Sequence, residues 1–390
     1  MKKNKHKLKI MLSSNAPWSP SGYAQQAVQF LPLMAKEGYK TSCVAFYGLE
    51  GGNVNIEGVE YYPKIPGDTW GDSAVVNHQK HFKPDVIFTL QDIWTLNPEH
   101  LKKFNKWIPI VPIDHEPTPP AILERLKLAY RVVTYSQFGH RQLKNEGIHS
   151  TYIPHTVKTD VFKPMGDDFN LELRKTLGIP ADTFLFGVVA ANKDNPPRKG
   201  FEFTLEAFKR FNQEYPNSAL YFHTLLDQAG GFPIRHYAKH LGIEKHIYHT
   251  DPYNMLHTMQ QSDMAQLYNV FDAYLSPSLN EGFGVPIIEA QSCGVPAIAT
   301  DFTAMRDLIV DGETGYKIKV GSTRFTPLLS NVAVPDVNSL YESMVKVYKA
   351  DRKAMGKKAR DFILKNYDLD LVWKNNWMPF LEKLEKEIYS

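Results

Sequence analysis

Cysteine is scarce: Cys43 and Cys293 are the two thiols in 390 residues. So wide a separation, with no pattern, gives no disulfide framework and points to free thiols in a reducing compartment. Long apolar runs are missing as well. None approaches the ~18 residues that a membrane span needs, and Ile10-Met11-Leu12 behind a basic start is too short for a signal-peptide core. A cytoplasmic location is expected, with peripheral contact at the inner face of a membrane left open. Excess charge of one sign is also lacking. A formal net charge of +3 is too small to point to nucleic acid. Lys2, Lys3, Lys5, Lys7 and Lys9 crowd the start, where a solvated terminus accounts for them better than an anionic surface does.

What is present is an ordinary soluble composition on a long chain. Hydrophobic residues make up 43%, enough for substantial cores, and 390 residues exceed one average domain, so two of similar size are expected. Strand-like runs at Lys9–Ser13, Thr41–Phe46, Pro84–Leu90, Ile108–Ile113 and Tyr130–Tyr135 alternate with helical patterns. A second series follows at Thr183–Val189, Ala219–His223, Ile247–Thr250, Ala273–Ser276 and Pro296–Thr300. Nearly continuous apolar strands separated by helices imply parallel sheets covered on both faces. The expected fold is therefore α/β, two doubly wound Rossmann-like domains facing across a cleft, with ligands at the strands' C-terminal ends. Boundaries are set at 1–163, 164–365 and 366–390, with Pro164–Asp168 as linker and an aromatic helix interrupted at Pro379 closing the chain. Lys317–Val334 reads as a surface loop or small flap.

The densest signal is Ser276-Pro277-Ser278-Leu279-Asn280-Glu281-Gly282-Phe283-Gly284-Val285-Pro286-Ile287-Ile288-Glu289-Ala290. It lies between two strand-like runs, with Pro286 suited to a first helical turn and Gly294 to the position past the end, so a helix is expected from about Val285 to Cys293. Unpaired N–H groups at that helix start, beside glycines that allow close approach, form a cradle for an anion. Carboxylates on either side can hold hydroxyls. A phosphate beside hydroxyls describes a sugar nucleotide.

The eight-residue step from Glu281 to Glu289, set in Glu-Gly-Phe-Gly-x-Pro, resembles the Glu-x7-Glu signature of the retaining family 4 glycosyltransferases (glycosyl transferases group 1), which adopt the GT-B fold. Gly294-Val295-Pro296-Ala297-Ile298-Ala299-Thr300, Ile153–Pro164 and Asp311–Tyr316 resemble further stretches of that family. The resemblance implies a nucleoside diphosphate sugar donor carrying UDP or GDP, a hydroxyl-bearing acceptor, and a final helix crossing back onto the first domain. It implies that Glu281 approaches the transferred sugar and that Glu289 holds the ribose. Arg198 and Lys199, adjacent here where the family spaces them more widely, would meet the diphosphate. Gly282, Phe283 and Gly284 would form the donor loop, with Gly22 opposite, and His115 would touch the donor sugar. Thr303 and Ala304 replace two family glycines, and no role is assigned there.

Two carboxylates also suit a glycosidase, but a phosphate-shaped loop between them serves no purpose in one. No Asp-x-Asp pair stands on a strand-end loop, so metal-independent chemistry without a cofactor is expected, cationic loops neutralising the diphosphate instead. The rival readings are a non-catalytic sugar-nucleotide binder, a GT-B epimerase or phosphorylase, and a transferase acting on nucleic-acid bases. The last is disfavoured by the lack of a basic-aromatic stripe.

Overall fold

The computed structural model describes residues 7–390, so Lys2, Lys3 and Lys5 of the basic start lie outside the described residues. The chain divides into two compact units, one running up to Thr156 and including Leu369–Ser390, the other formed by Val157–Asp368.

In the first unit the strands are β1 (Lys9–Asn15), β2 (Lys40–Tyr47), β3 (Val54–Ile56), β4 (Val59–Pro63), β5 (Val86–Leu90), β6 (Trp107–Val111), β7 (Val133–Thr134) and β8 (Thr151–Tyr152). They form one sheet in the order β3-β4-β2-β1-β5-β6-β7-β8, parallel except where β3 turns back on β4. Ile10, Met11, Leu12, Val86, Ile87 and Leu90 are fully buried, as a sheet sandwiched between helices requires. The helix Gly22–Lys36 starts where the Ser21 hydroxyl accepts from the Ala24 N–H at 3.1 Å. Its stripe of Ala24, Ala27, Phe30, Leu31 and Met34 is buried.

Leu369–Ser390 completes this unit. Trp377 stacks on Phe30, ring centroids 4.8 Å apart, and meets Phe88 edge-on. The expected break at Pro379 does not occur. A π-helical stretch at Trp373–Trp377 leads without a break into the helix Met378–Tyr389, so the chain passes Pro379 by widening the turn before it instead of ending the helix.

The second unit contains β9 (Phe184–Val189), β10 (Ser218–His223), β11 (Ile247–His249), β12 (Ala273–Ser276), β13 (Ala297–Thr300) and β14 (Gly315–Ile318). They build a parallel sheet in the order β11-β10-β9-β12-β13-β14. Its core is aromatic, with Phe186, Phe201, Phe208, Phe211 and Phe222 fully buried. Strand order reverses between β9 and β12, and loops leaving such a switch point diverge to open a crevice.

Two sequence expectations are refined, and four short strands are added. The linker is shorter than Pro164–Asp168, because Asp167 and Asp168 form the first turn of the helix Asp167–Thr176, where acidic side chains suit the dipole. The 317–334 segment is ordered: β15 (Val320–Phe325) and β16 (Asn331–Pro335) pair antiparallel as a hairpin. β3, β4, β8 and β14 had no sequence expectation, and all are five residues or fewer.

Candidate active site

The switch point of the second unit gathers most of the candidate residues. The loop after β9 carries Arg198, Lys199 and Gly200; the loop after β12 carries Ser278 to Gly284. The two loops are laced together, since the Leu279 N–H donates to the Arg198 carbonyl at 2.8 Å and Arg198 Nη1 donates to the Asn280 carbonyl at 2.6 Å. Gly200 has φ +67°, and a Cβ there would stand 2.1 Å from the Pro277 carbonyl oxygen. Only glycine permits this approach.

Lys199 donates to Glu281 Oε1 in a short ion pair, and Arg198 Nη1 stands 3.4 Å from Glu281 Oε2. Burial alone would raise the Glu281 carboxyl, but Lys199 and Arg198 outweigh it and hold the group down to about 2. Ser278 adds a side-chain hydrogen bond in the same direction. Burial draws the Lys199 ammonium below its ordinary value, and the Glu281 carboxylate works against that. A cavity of about 10 Å³, room for one water, lies among Lys199, Tyr274, Ser278, Glu281, Gly284 and Pro286.

Beside it begins the helix Val285–Ser292. Gly284 is its cap residue, at φ +112°, with no side chain capping the turn. Pro286 brings no N–H to this helix start and the Ile287 N–H turns back on the Gly284 carbonyl at 2.9 Å, so the anion cradle expected from the sequence narrows to the Gly284–Val285 backbone. Glu289 is half-buried on the same helix, and the Tyr268 hydroxyl donates to its Oε2 at 2.8 Å. Burial raises its carboxyl to about 7, with the Tyr268 hydrogen bond only partly offsetting the effect. Gly282 is half-buried. Phe283 points inward, 4% exposed and edge-on to Tyr367 at 5.7 Å, so its ring belongs to the packing beneath the loop.

In the first unit, Gly22 opens the helix after β1, where a Cβ would meet nothing within 4 Å, so internal packing does not require the glycine. His115 follows β6, is buried, and has Nδ1 2.7 Å from Asp114 Oδ1. Tyr23, next to Gly22, is half-buried, and burial together with the nearby charges of Asp92 and Asp114 pushes its phenol well up. His155 stacks on Tyr135 at 3.8 Å, and burial lowers it to about 3, the behaviour of a packed histidine.

Two supports were missed. Thr303, fully buried, accepts the Glu281 N–H on its Oγ1 at 3.2 Å and holds φ +46°. A β-branched residue rarely adopts that conformation. Ala333 of β16 donates its N–H to the Leu279 carbonyl at 3.0 Å, so the hairpin braces the same loop. The one available signal was Thr303 standing where the resembled family has glycine. Among the described residues, no group of three or more His, Cys, Asp or Glu side chains is placed to hold a metal ion.

Residues 171–325 match the family model described as glycosyl transferases group 1. A D-inositol 3-phosphate glycosyltransferase of Corynebacterium glutamicum is 29% identical over 163 residues, 41% of this chain and 37% of that protein. The chain spans about two fifths of the length of the curated relatives it matches, 37% of that one and 42% of an alpha-galactosylglucosyldiacylglycerol synthase of Streptococcus pneumoniae that is 28% identical and matches 44% of this chain. Among solved structures, sucrose-phosphate synthase from Thermosynechococcus elongatus superposes with a TM-score of 0.76 at 16% identity, covering 97% of this chain and 99% of that one. Anabaena HepE, solved with UDP and glucose, gives 0.69 at 16% identity, with 97% and 100% covered. The fold is thus GT-B, and residues 171–325 carry the sequence pattern of glycosyl transferases group 1.

Proposed function

We propose that the protein is a retaining glycosyltransferase that moves a sugar from a nucleoside diphosphate, UDP or GDP, to an acceptor hydroxyl without a divalent metal. The observation that carries this is the meeting of Arg198, Lys199 and Glu281 beside an uncapped helix start. As the anomeric bond breaks, negative charge grows on the departing diphosphate, and preorganised cations and amide N–H groups stabilise it most where water is sparse. Arg198, Lys199 and the Gly284 turn supply both. A diphosphate brings its charge to the two cations that Glu281 now holds, which frees this carboxylate to orient the transferred sugar. Glu289 accepts from the ribose hydroxyls, a charged acceptor making the stronger bond. The departing phosphate takes the acceptor's proton.

The test is Glu281→Gln, which keeps the shape and removes the charge. Release of nucleoside diphosphate from the sugar donor should fall ~10²–10³-fold, with the far-ultraviolet circular dichroism unchanged. Excess EDTA should leave the wild-type rate within about two-fold, and product NMR should show a retained anomeric configuration. A protein that binds donors but never releases nucleoside diphosphate would be a binder, not an enzyme.

A further inference from the structure

One edge of the first unit's sheet carries exposed aromatic rings with almost no cation among them. Strands β4, β2, β1 and β5 are neighbours and run parallel, so the chain leaving their C-terminal ends does so side by side. Trp70, Tyr47, Trp18 and Trp94 stand there in that order, and they are 42%, 56%, 50% and 39% exposed. The other tryptophans, Trp107, Trp373 and Trp377, are buried. Strand order reverses between β1 and β5, which makes this the first unit's own switch point. Trp18 and Trp94 leave from those two strands.

The Trp18 ring is held in place, its Nε1 donating to the Gly48 carbonyl at 2.7 Å, and the backbone at Trp70 is tied by its carbonyl, which accepts from Gln91 Nε2 at 3.3 Å. Gln91 is 2% exposed and its Oε1 has no partner, an unmet acceptor at the end of β5. Asp92, Asp114 and Glu116 add carboxylates after β5 and β6. The loops after β1, β2, β4, β5 and β6 contain one Lys or Arg between them, Lys64, and Glu50 holds it at 2.9 Å. The loop after β9 in the second unit has the opposite character, with Lys193, Arg198 and Lys199.

Aromatic planes flanked by carboxylates suit a pyranose, which offers an apolar C–H face and a rim of hydroxyl donors. The same carboxylates repel phosphate and carboxylate groups. We propose that this edge binds the acceptor and that the acceptor is a carbohydrate bearing no phosphate or carboxylate, an inference that rests on the donor assignment above for its place in the reaction.

The experiment supplies the purified full chain and its sugar donor with uncharged oligosaccharides, the corresponding sugar phosphates, or vesicles of anionic phospholipid. Uncharged saccharides should accelerate nucleoside diphosphate release and the other two should not. Trp18→Ala and Trp94→Ala should each raise the saccharide KM at least ten-fold while the donor KM stays within two-fold. Faster turnover with sugar phosphates or vesicles, or an unchanged saccharide KM in both variants, overturns the proposal. A second measurement, without donor, separates it from the donor assignment. Saturable quenching of tryptophan fluorescence by an uncharged oligosaccharide, lost in Trp18→Ala, supports the aromatic edge even if no donor is ever cleaved. No quenching at any concentration overturns it.

Discussion

Glu289 and Glu281 share a helix start yet titrate in opposite directions, one raised to about 7 by burial, the other held at about 2 by two cations. The raised group has a defined consequence. Folded protein keeps a proton on Glu289 that the unfolded chain gives up at its ordinary value of 4.5. Stability from this site is therefore lost as pH rises from about 4.5 to about 7, and is level above that. Hydroxyls that donate to Glu289 favour its charged form, so a nucleoside diphosphate sugar should bind more tightly at pH 8 than at pH 6 and release a proton as it binds. Calorimetry in buffers of different ionisation enthalpy measures that proton, and Glu289→Gln should abolish it. Thr303 yields a second expectation. Thr303→Gly relieves a positive φ that costs ~1 kcal/mol or more but removes the acceptor for the Glu281 N–H. Stability to urea should stay within about 1 kcal/mol of wild type, while kcat falls about ten-fold and Thr303→Ser retains it.

At the scale of elements, the hairpin of β15 and β16 acts through one hydrogen bond, Ala333 N–H to the Leu279 carbonyl. Ala333→Pro deletes that donor and leaves a carbonyl unmet beneath the loop. The expected cost is about 2 kcal/mol, read by thermal unfolding, with a raised donor KM. This bond also marks where sequence reasoning stopped. Arg198, Lys199, Glu281 and the helix start were legible because each lies on a loop whose chemistry is local: charge, glycine, and a proline in the first turn. Thr303 and Ala333 act across 22 and 54 residues respectively, and nothing in their own surroundings announces it. The strands β3 and β8, three and two residues long, are too brief for a period to show. Pro379 misled because the helix does not end there: the turn before it widens into a π-helical stretch, and the chain runs on.

On the scale of the whole molecule, two doubly wound units of unlike continuity share one chain. The second is a single stretch, Val157–Asp368; the first needs Leu369–Ser390 to cover itself. Trp373, Trp377, Leu381 and Leu384 of that segment are at most 8% exposed. At ~1.5–3 kcal/mol for each large apolar side chain they represent roughly 6–12 kcal/mol, comparable to the entire stability of a domain, about 5–15 kcal/mol. Ending the chain at Asp368 should therefore unfold the first unit and leave the second able to bind nucleoside diphosphates. Hydrogen exchange resolved by peptide would show both outcomes.

This discontinuity reverses the usual order of birth. A ribosome adds ~5–20 residues per second, so the 212 residues from Val157 to Asp368 take roughly 10–40 s to make. During that interval Phe30 and Phe88 wait without the tryptophan that seals them. The later-made half matures first, and the earlier-made half is a natural client for a holding chaperone until Trp377 emerges.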